Sequence, residues 1–440
     1  MVRMMRARGA RCLSVLVVTM LLIGCEGEGV TDPFELAPSI DRFLSISAGS
    51  GLTCGVGVDH YAYCWGANNL DQVGSSTFGN CLDSGLERSP CAKWPQRVSL
   101  DARVTMVSAG HGHACALSEA GEIFCWGYNG SGQAGVDGPA SIRIPARVAS
   151  SVTFTMVQVA AEHTCAIDVT GVVWCWGVND YGQLGRGTND MLPHPSPAPL
   201  QTDLRFVKIG PGFSQTTCAL TTTAAVYCWG ANDAAVVPGT EILGDTARDV
   251  CTSNPFRRFG DQCNMTPRRA LPNLEFDDVV VGQLHACGRS GGSWICWGNG
   301  GGGNLGIGTP QSCADTVGST VHHAQCNRDR VPVTGSEAFP MLGAGGVWSC
   351  ALDAQGFGWC WGYNSWGGIG TGEAEPWYEA PVRIDSNLAF ASLSMGGANA
   401  CALTAEGVAW CWGYSRTGSI GNGEFGDRIA LSPRQVVARP

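Results

Sequence analysis

Seven copies of a Cys-Trp-Gly motif, each preceded by a second cysteine, and a repeat unit that breaks into four short strands predict an all-β fold. The expected architecture is a seven-bladed β-propeller of four-stranded blades, closed by pairing of N- and C-terminal strands. Composition agrees: glycine makes 62 of 440 residues and charged residues only 15%, as short strands joined by tight turns require.

The chain divides into three expected segments. Residues 1–24 open with Arg3, Arg6, Arg8 and Arg11, followed by an apolar run from Cys12 to Ile23. That is the anatomy of a secretory signal. Leu22-Ile23-Gly24-Cys25 also resembles the lipobox of bacterial lipoproteins. The resemblance implies cleavage before Cys25 and lipid attachment at Cys25. Glu26 follows, rather than the aspartate that retains such proteins in the inner membrane, so the expected location is the outer membrane of a bacterial cell envelope. Residues 25–39 are the lipid-attached tether. Removing four arginines and no acid takes the net charge from −10 to −14. No stretch reaches the roughly 18 apolar residues of a spanning helix.

The repeats fill residues 40–440. Cys-Trp-Gly begins at Cys64, Cys125, Cys175, Cys228, Cys296, Cys360 and Cys411, and the paired upstream cysteines are Cys54, Cys115, Cys165, Cys218, Cys287, Cys350 and Cys401. The offset is ten residues in six units and nine in the fifth. In the clearest unit, Val157 to Ala161 alternates as a strand and His163 to Ile167 forms a second. Asp168 to Gly171 is a turn and Val172 to Gly177 a third strand. A further short strand, Pro-x-Arg-Val, precedes most units, as at Pro95 to Val98 and Pro145 to Val148. Such a sheet cannot bury both faces alone, whereas a ring of them can.

The small step after the first strand, the His-Thr-x-Ala-Leu strand, the Trp-Gly pair and Asn followed by Gly-Gln-Leu-Gly resemble the regulator-of-chromosome-condensation repeat. The resemblance covers residues ~40–440 and implies a propeller of seven blades, the number counted here. The chain begins inside a repeat at Phe43 and ends on Pro433 to Val437, so the last strand is expected to join the first blade. Units 1, 4 and 5 depart most from the pattern. Gly300 and Ser415 replace the Asn, and the histidine two before the first cysteine occurs only as His113, His163 and His285.

Cysteine spacing argues for disulfides over metal. A turn centred on Ala120 sets Cys115 opposite Cys125 and Leu117 opposite Ile123, with Cα atoms roughly 4.5–5.5 Å apart, within disulfide range. The fifth unit needs a turn shorter by one residue or a bulge. Three further pairs sit in enlarged connections: Cys81 with Cys91, Cys251 with Cys263, and Cys313 with Cys326. With Cys12 in the signal and Cys25 lipidated, all 22 cysteines are used. The Cys-x2–4-Cys spacing of zinc sites does not occur.

The enlarged connections, roughly residues 75–94, 234–266 and 308–331, are expected on one face. Their candidate contact residues are Phe78 and Trp94; Phe256, Arg257 and Arg258; and His322, His323 and Arg328. A sixth-unit loop adds Trp366, Trp377 and Tyr378. Tryptophan, tyrosine and arginine are the usual anchors of protein interfaces. The seven motif tryptophans repeat too regularly for a site and read as packing residues, and the three repeat histidines read as structural hydrogen-bonding groups.

The expected function is a protein-binding scaffold, as interaction partner or inhibitor, with an envelope or extracellular protein as its partner. No cofactor, catalytic residue or metal ligand is expected. The acidic chain argues against nucleic acid, which requires a basic face. The alternative is a propeller lyase or hydrolase with a site at the central axis. Guanine-nucleotide exchange, an activity of the eukaryotic namesake, fits poorly with export, and fold alone does not license it.

Overall fold

The computed structural model describes residues 40–76, 79–82, 88–210, 212–232, 249–251, 261–309, 311–317, 320–327, 329–424 and 429–440. The signal, the tether and Cys25 lie outside the described residues. Blade 3 shows how the repeat folds. Phe154–Val159 is the inner strand, His163–Asp168 the second, Val173–Asn179 the third and Asp190–Pro199 the outer, hydrogen-bonded in that order and antiparallel throughout. Blades 2, 6 and 7 have the same four-stranded order, and blades 1 and 4 add a fifth, short strand beyond the outer one. In blade 5 the outer strand shrinks to a single bridge between Ile295 and Pro332, and a separate hairpin, Gln311–Val317 with Thr320–Cys326, precedes it. Among the described residues the one helical element is a single turn at Ser336–Ala338; no described helix is long and apolar enough to cross a membrane.

The inner strands touch one another in an unbroken circuit, blade 1 to blade 7 and back to blade 1. Side-chain hydroxyls knit this circuit: Ser47, Ser108 and Ser394 accept the N–H groups of Ala109, Val159 and Ala48 of the following blades. The core is the set of seams between blades. In six blades the motif tryptophan is buried and its indole N–H reaches a carbonyl of the preceding blade: Trp126 to Gln72, Trp176 to Gln133, Trp229 to Gln183, Trp361 to Asn304, Trp412 to Gly368 and Trp65 to Ser419, at 2.7–3.1 Å. The tryptophans are therefore the inter-blade packing residues the repetition suggested. The glycine after each has φ between 93° and 113°, and the ladder to the outer strand slips at that point, as between Cys125 and Gly127. Only glycine enters this conformation cheaply, which accounts for an unvaried Trp-Gly in a repeat that varies elsewhere.

The expected closure is corrected by the strand order. Ile429–Gln435 pairs with the third strand of blade 7, Trp410 opposite Gln435, and so completes blade 7 rather than joining blade 1. The Pro-x-Arg-Val segments at Pro95 to Val98 and Pro145 to Val148, and the related Pro433 to Val436, form the outer strands of the units they follow, each ending on a buried valine whose N–H bonds the start of the third strand. Each blade is thus contiguous in sequence. The ring closes with the bond used at its other seams: Phe43 N–H to Gly407 O repeats Phe154 to Gly121, Phe206 to Gly171 and Phe390 to Gly356. No shared strand is needed, because the seams themselves hold the circuit.

Cys115 faces Cys125 and Leu117 faces Ile123, and the other blades repeat this register. The seven hairpin cysteine pairs are disulfide-bonded, with Cα atoms 4.0–4.2 Å apart, nearer than the spacing expected from a relaxed ladder. In the fifth blade Ser290 pairs with Ser293 around the two-residue turn Gly291-Gly292, which is one residue shorter than Glu119-Ala120-Gly121. Cys81–Cys91 and Cys251–Cys263 bridge diagonally within their insertions, at 5.7 and 6.0 Å between Cα atoms. Cys326 is disulfide-bonded; the Cys313 side chain lies outside the described residues.

Candidate functional site

In a four-stranded antiparallel blade, the turn from inner to second strand and the connection from third to outer strand emerge at the same end. That end forms one face of the ring. Its turns are short, as at His111-Gly112 and Ala161-Glu162. Its outer connections hold all the enlarged segments: strand Gly79–Leu82 against Arg88–Arg97 in blade 1, Asp249–Cys251 against Asp261–Arg269 in blade 4, and the blade 5 hairpin. The insertions therefore share a face, as repeat symmetry suggested.

The candidate contact residues fare unequally. Phe78, Phe256, Arg257, Arg258 and Arg328 lie outside the described residues. His322 and His323 stand opposite Asp315 and Ala314 in the blade 5 hairpin, and their side chains are not described. Trp94, expected to be a contact residue, is half-buried and lies over Gly423 of blade 7, close enough that a Cβ there would meet the indole nitrogen; it is a seam residue. Trp366 and Trp377 are exposed, at 49% and 54%. Trp366 stands edge-on to Tyr414, 5.5 Å between centroids, and Tyr363 is paired with Trp377 across the ladder. Tyr378 is half-buried, its hydroxyl 3.3 Å from Thr371 Oγ1. Sequence reasoning missed Tyr363, Tyr414 and Tyr128. All three follow Trp-Gly directly, where other units place Ala67, Val178, Ala231 and Asn299. An aromatic residue at a position that tolerates alanine was the available signal.

A cavity of about 530 Å³ opens on the same face, spanning blades 1 to 5. Its aromatic walls are Tyr128, Tyr181 and Phe213; its polar groups include His111, Glu162, Gln215 and Gln283. Gln215 Nε2 donates to Glu162 Oε2 at 3.0 Å, so the carboxylate is held in a fixed orientation. The volume is that of ordinary ligand pockets.

The repeat histidines do not converge. His113 Nε2 meets Thr164 Oγ1 at 2.8 Å, His163 meets Thr217 at 2.7 Å, and His285 meets Ser349 at 2.7 Å, each crossing to the next blade. Thr164 donates its own proton to Gln133 O, so it accepts from His113 Nε2–H. In blade 7, Asn399 Nδ2 takes the same role toward Thr53 of blade 1, at 3.2 Å. Burial pushes His113 down to about 3, helped by the nearby His163 and His111, and pushes His163 and His285 to about 4. Three neutral imidazoles in three separate seams are structural groups. Among the described residues no group of three or more His, Cys, Asp or Glu side chains could hold a metal ion.

Residues 59–117, 120–167 and 170–219 match the model of the regulator of chromosome condensation (RCC1) repeat, and residues 104–133 match a second model of the same repeat. Those matches fall within residues 59–219, in the first four blades. The chain is 29% identical over 344 residues to the ultraviolet-B receptor UVR8 of Arabidopsis thaliana, covering 76% of this chain and 70% of that protein. It is 36% identical over 86 residues to the human probable E3 ubiquitin-protein ligase HERC3, of which it covers 8%. Among solved structures, the RCC1-type propeller Prp20p of Saccharomyces cerevisiae superposes with a TM-score of 0.65 at 18% identity, covering 90% of this chain and 88% of that one; it is described with its binding to Gsp1p and histones. Human WBSCR16 superposes at 0.62 with 19% identity, covering 83% and 87%. These structural likenesses bear on the fold.

Proposed function

We propose that the chain is a protein-binding scaffold of the cell envelope, exported, held to the outer membrane through a lipidated Cys25, and meeting its partner with the face that bears the insertions. The observation that carries this reading is the gathering of features on one face. Stapled hairpins, the exposed pair Trp366 and Trp377, and the cavity all occupy it, while the opposite ends of the blade hairpins carry only two- and three-residue turns. Disulfides within the insertions lower the ordering cost of binding. Tryptophan is among the residues most enriched at the hot spots of protein interfaces. RCC1-type propellers described with protein partners, such as Prp20p, support a protein rather than a nucleic acid.

The test is crosslinking and pull-down from intact envelope, comparing the full protein with a variant whose three insertions are cut to minimal turns. Capture by the full protein and its loss from the trimmed, folded variant is the expected result. Equal capture by both overturns the assignment of the face. For the anchor, Cys25→Ser should abolish metabolic labelling with palmitate and release the protein from the membrane fraction; retained label excludes Cys25 as the acylated residue.

A further inference from the structure

The cavity beside the insertions has a chemistry of its own. Glu162 is half-buried in its wall; its carbonyl accepts from Val178 N–H, and its carboxylate accepts from Gln215 at Oε2. Among the described residues no lysine or arginine lines the cavity and Glu162 makes no ion pair. A half-buried carboxylate that faces the cavity with no counter-ion among the described residues can accept a charge-assisted bond from an incoming cation. Its orientation by Gln215 leaves Oε1 for an incoming donor. Tyr128 and Phe213 line the same cavity, with the buried Tyr181 behind them. Carboxylate together with aromatic faces is the environment in which a planar guanidinium binds best, through directed N–H bonds and stacking on the rings.

We propose that this cavity receives an arginine side chain of the partner, with Glu162 as its counter-ion and the cavity's rings as its walls. The inference rests on the scaffold reading and names the chemistry of the partner. The net charge of −10 works in the same direction, since an acidic body draws a basic segment towards it.

The experiment uses the purified full chain and three capped amino acids: N-acetyl-arginine amide, N-acetyl-lysine amide and N-acetyl-citrulline amide. Binding is followed by saturation-transfer NMR and calorimetry. The arginine derivative should bind, the lysine derivative more weakly, and citrulline, which keeps the shape without the charge, at least about tenfold more weakly, the difference one charge-assisted bond makes. Glu162→Gln should weaken arginine binding by a similar factor with no change in melting temperature, since the amide can still meet Gln215. Equal binding of arginine and citrulline, or an unchanged affinity in Glu162→Gln, overturns the proposal. Lysine binding as tightly as arginine overturns its guanidinium specificity. The two readings separate in the pull-down. If the envelope partner is captured undiminished by Glu162→Gln, the cavity assignment falls and the scaffold stands. Loss of capture in Glu162→Gln as well as in the trimmed variant supports both.

Discussion

At the residue scale the seams obey a pairing rule. Where a blade places His or Asn two residues before its first cysteine, the next blade places a hydroxyl one residue before its own: His113 with Thr164, His163 with Thr217, His285 with Ser349 and Asn399 with Thr53. Where the first position is Leu52, Thr216 or Trp348, the next blade has Ala114, Ala286 or Ala400. A hydroxyl is supplied only where a donor crosses the seam, as expected when a buried polar group without a partner costs more than the bond itself contributes. Replacing His113 with Leu and Thr164 with Ala together should therefore cost less than the sum of the single changes, by about 1–2 kcal/mol in urea denaturation. Strict additivity would mean the seam bond does not couple the two sites. The histidines also fix a pH response. Each stays neutral in the fold down to about pH 3 or 4, yet titrates near 6.5 when unfolded. Below 6.5 the unfolded chain takes up protons that the folded chain refuses. Stability should fall as pH drops from about 6.5 to about 4, and these groups should have no effect above 6.5. Changing His113, His163 and His285 to Asn, the residue blade 7 already uses, should flatten that fall; an undiminished slope would assign it to other groups.

At the scale of elements, the hairpin was the most legible part of the chain. Pairing Cys115 with Cys125 needs only a turn position and the two-residue alternation of a strand, both local, so the arithmetic also located the shortened turn in blade 5. The phase of the repeat was not legible. Pro-x-Arg-Val lies between two units, and its pattern is the same whether it pairs backward or forward; pairing is a tertiary fact. The cavity was hidden for a similar reason. Glu162, Gln215 and Tyr128 belong to three blades and meet only when the ring assembles. The packing of Trp94 on Gly423 was hidden too, because the two are far apart along the chain. The hairpin disulfides close short loops, so each adds modestly to stability. Changing both Cys115 and Cys125 to Ala should cost about 2–3 kcal/mol by the loop-entropy estimate, read as a lowered urea midpoint with the rest of the ring intact. A loss much larger than this would show that the bond holds the seams as well as its own hairpin.

For the whole molecule, contiguity of the blades changes what closing the ring means. A propeller that shares a strand between its ends depends on that strand as a clasp. Here the seam between blades 7 and 1 carries Phe43 N–H to Gly407 O, Trp65 Nε1 to Ser419 O, Asn399 to Thr53 and Ala48 N–H to Ser394 Oγ. The first two recur at other seams, Asn399 stands where blades 2, 3 and 5 use histidine, and the last is repeated by Ser47 and Ser108. The seam also carries a β-bridge between Arg42 and Val408 and a bond from Thr417 Oγ1 to Gly51 O, and the covalent chain does not cross it. A cut between any two blades should then be equivalent to the natural one. Joining Pro440 to Ile40 through a flexible linker of about ten residues and opening the chain between the exposed Gln201 and the half-buried Thr202, in the connection from blade 3 to blade 4, leaves the sheet of every blade whole. The permuted protein should fold, form the same cysteine pairs and melt within a few degrees of the parent, because exposed connections tolerate new termini. If it aggregates or melts far lower while a control carrying only the linker does not, the seams are unequal, and the natural one holds something beyond the bonds it shares with the rest.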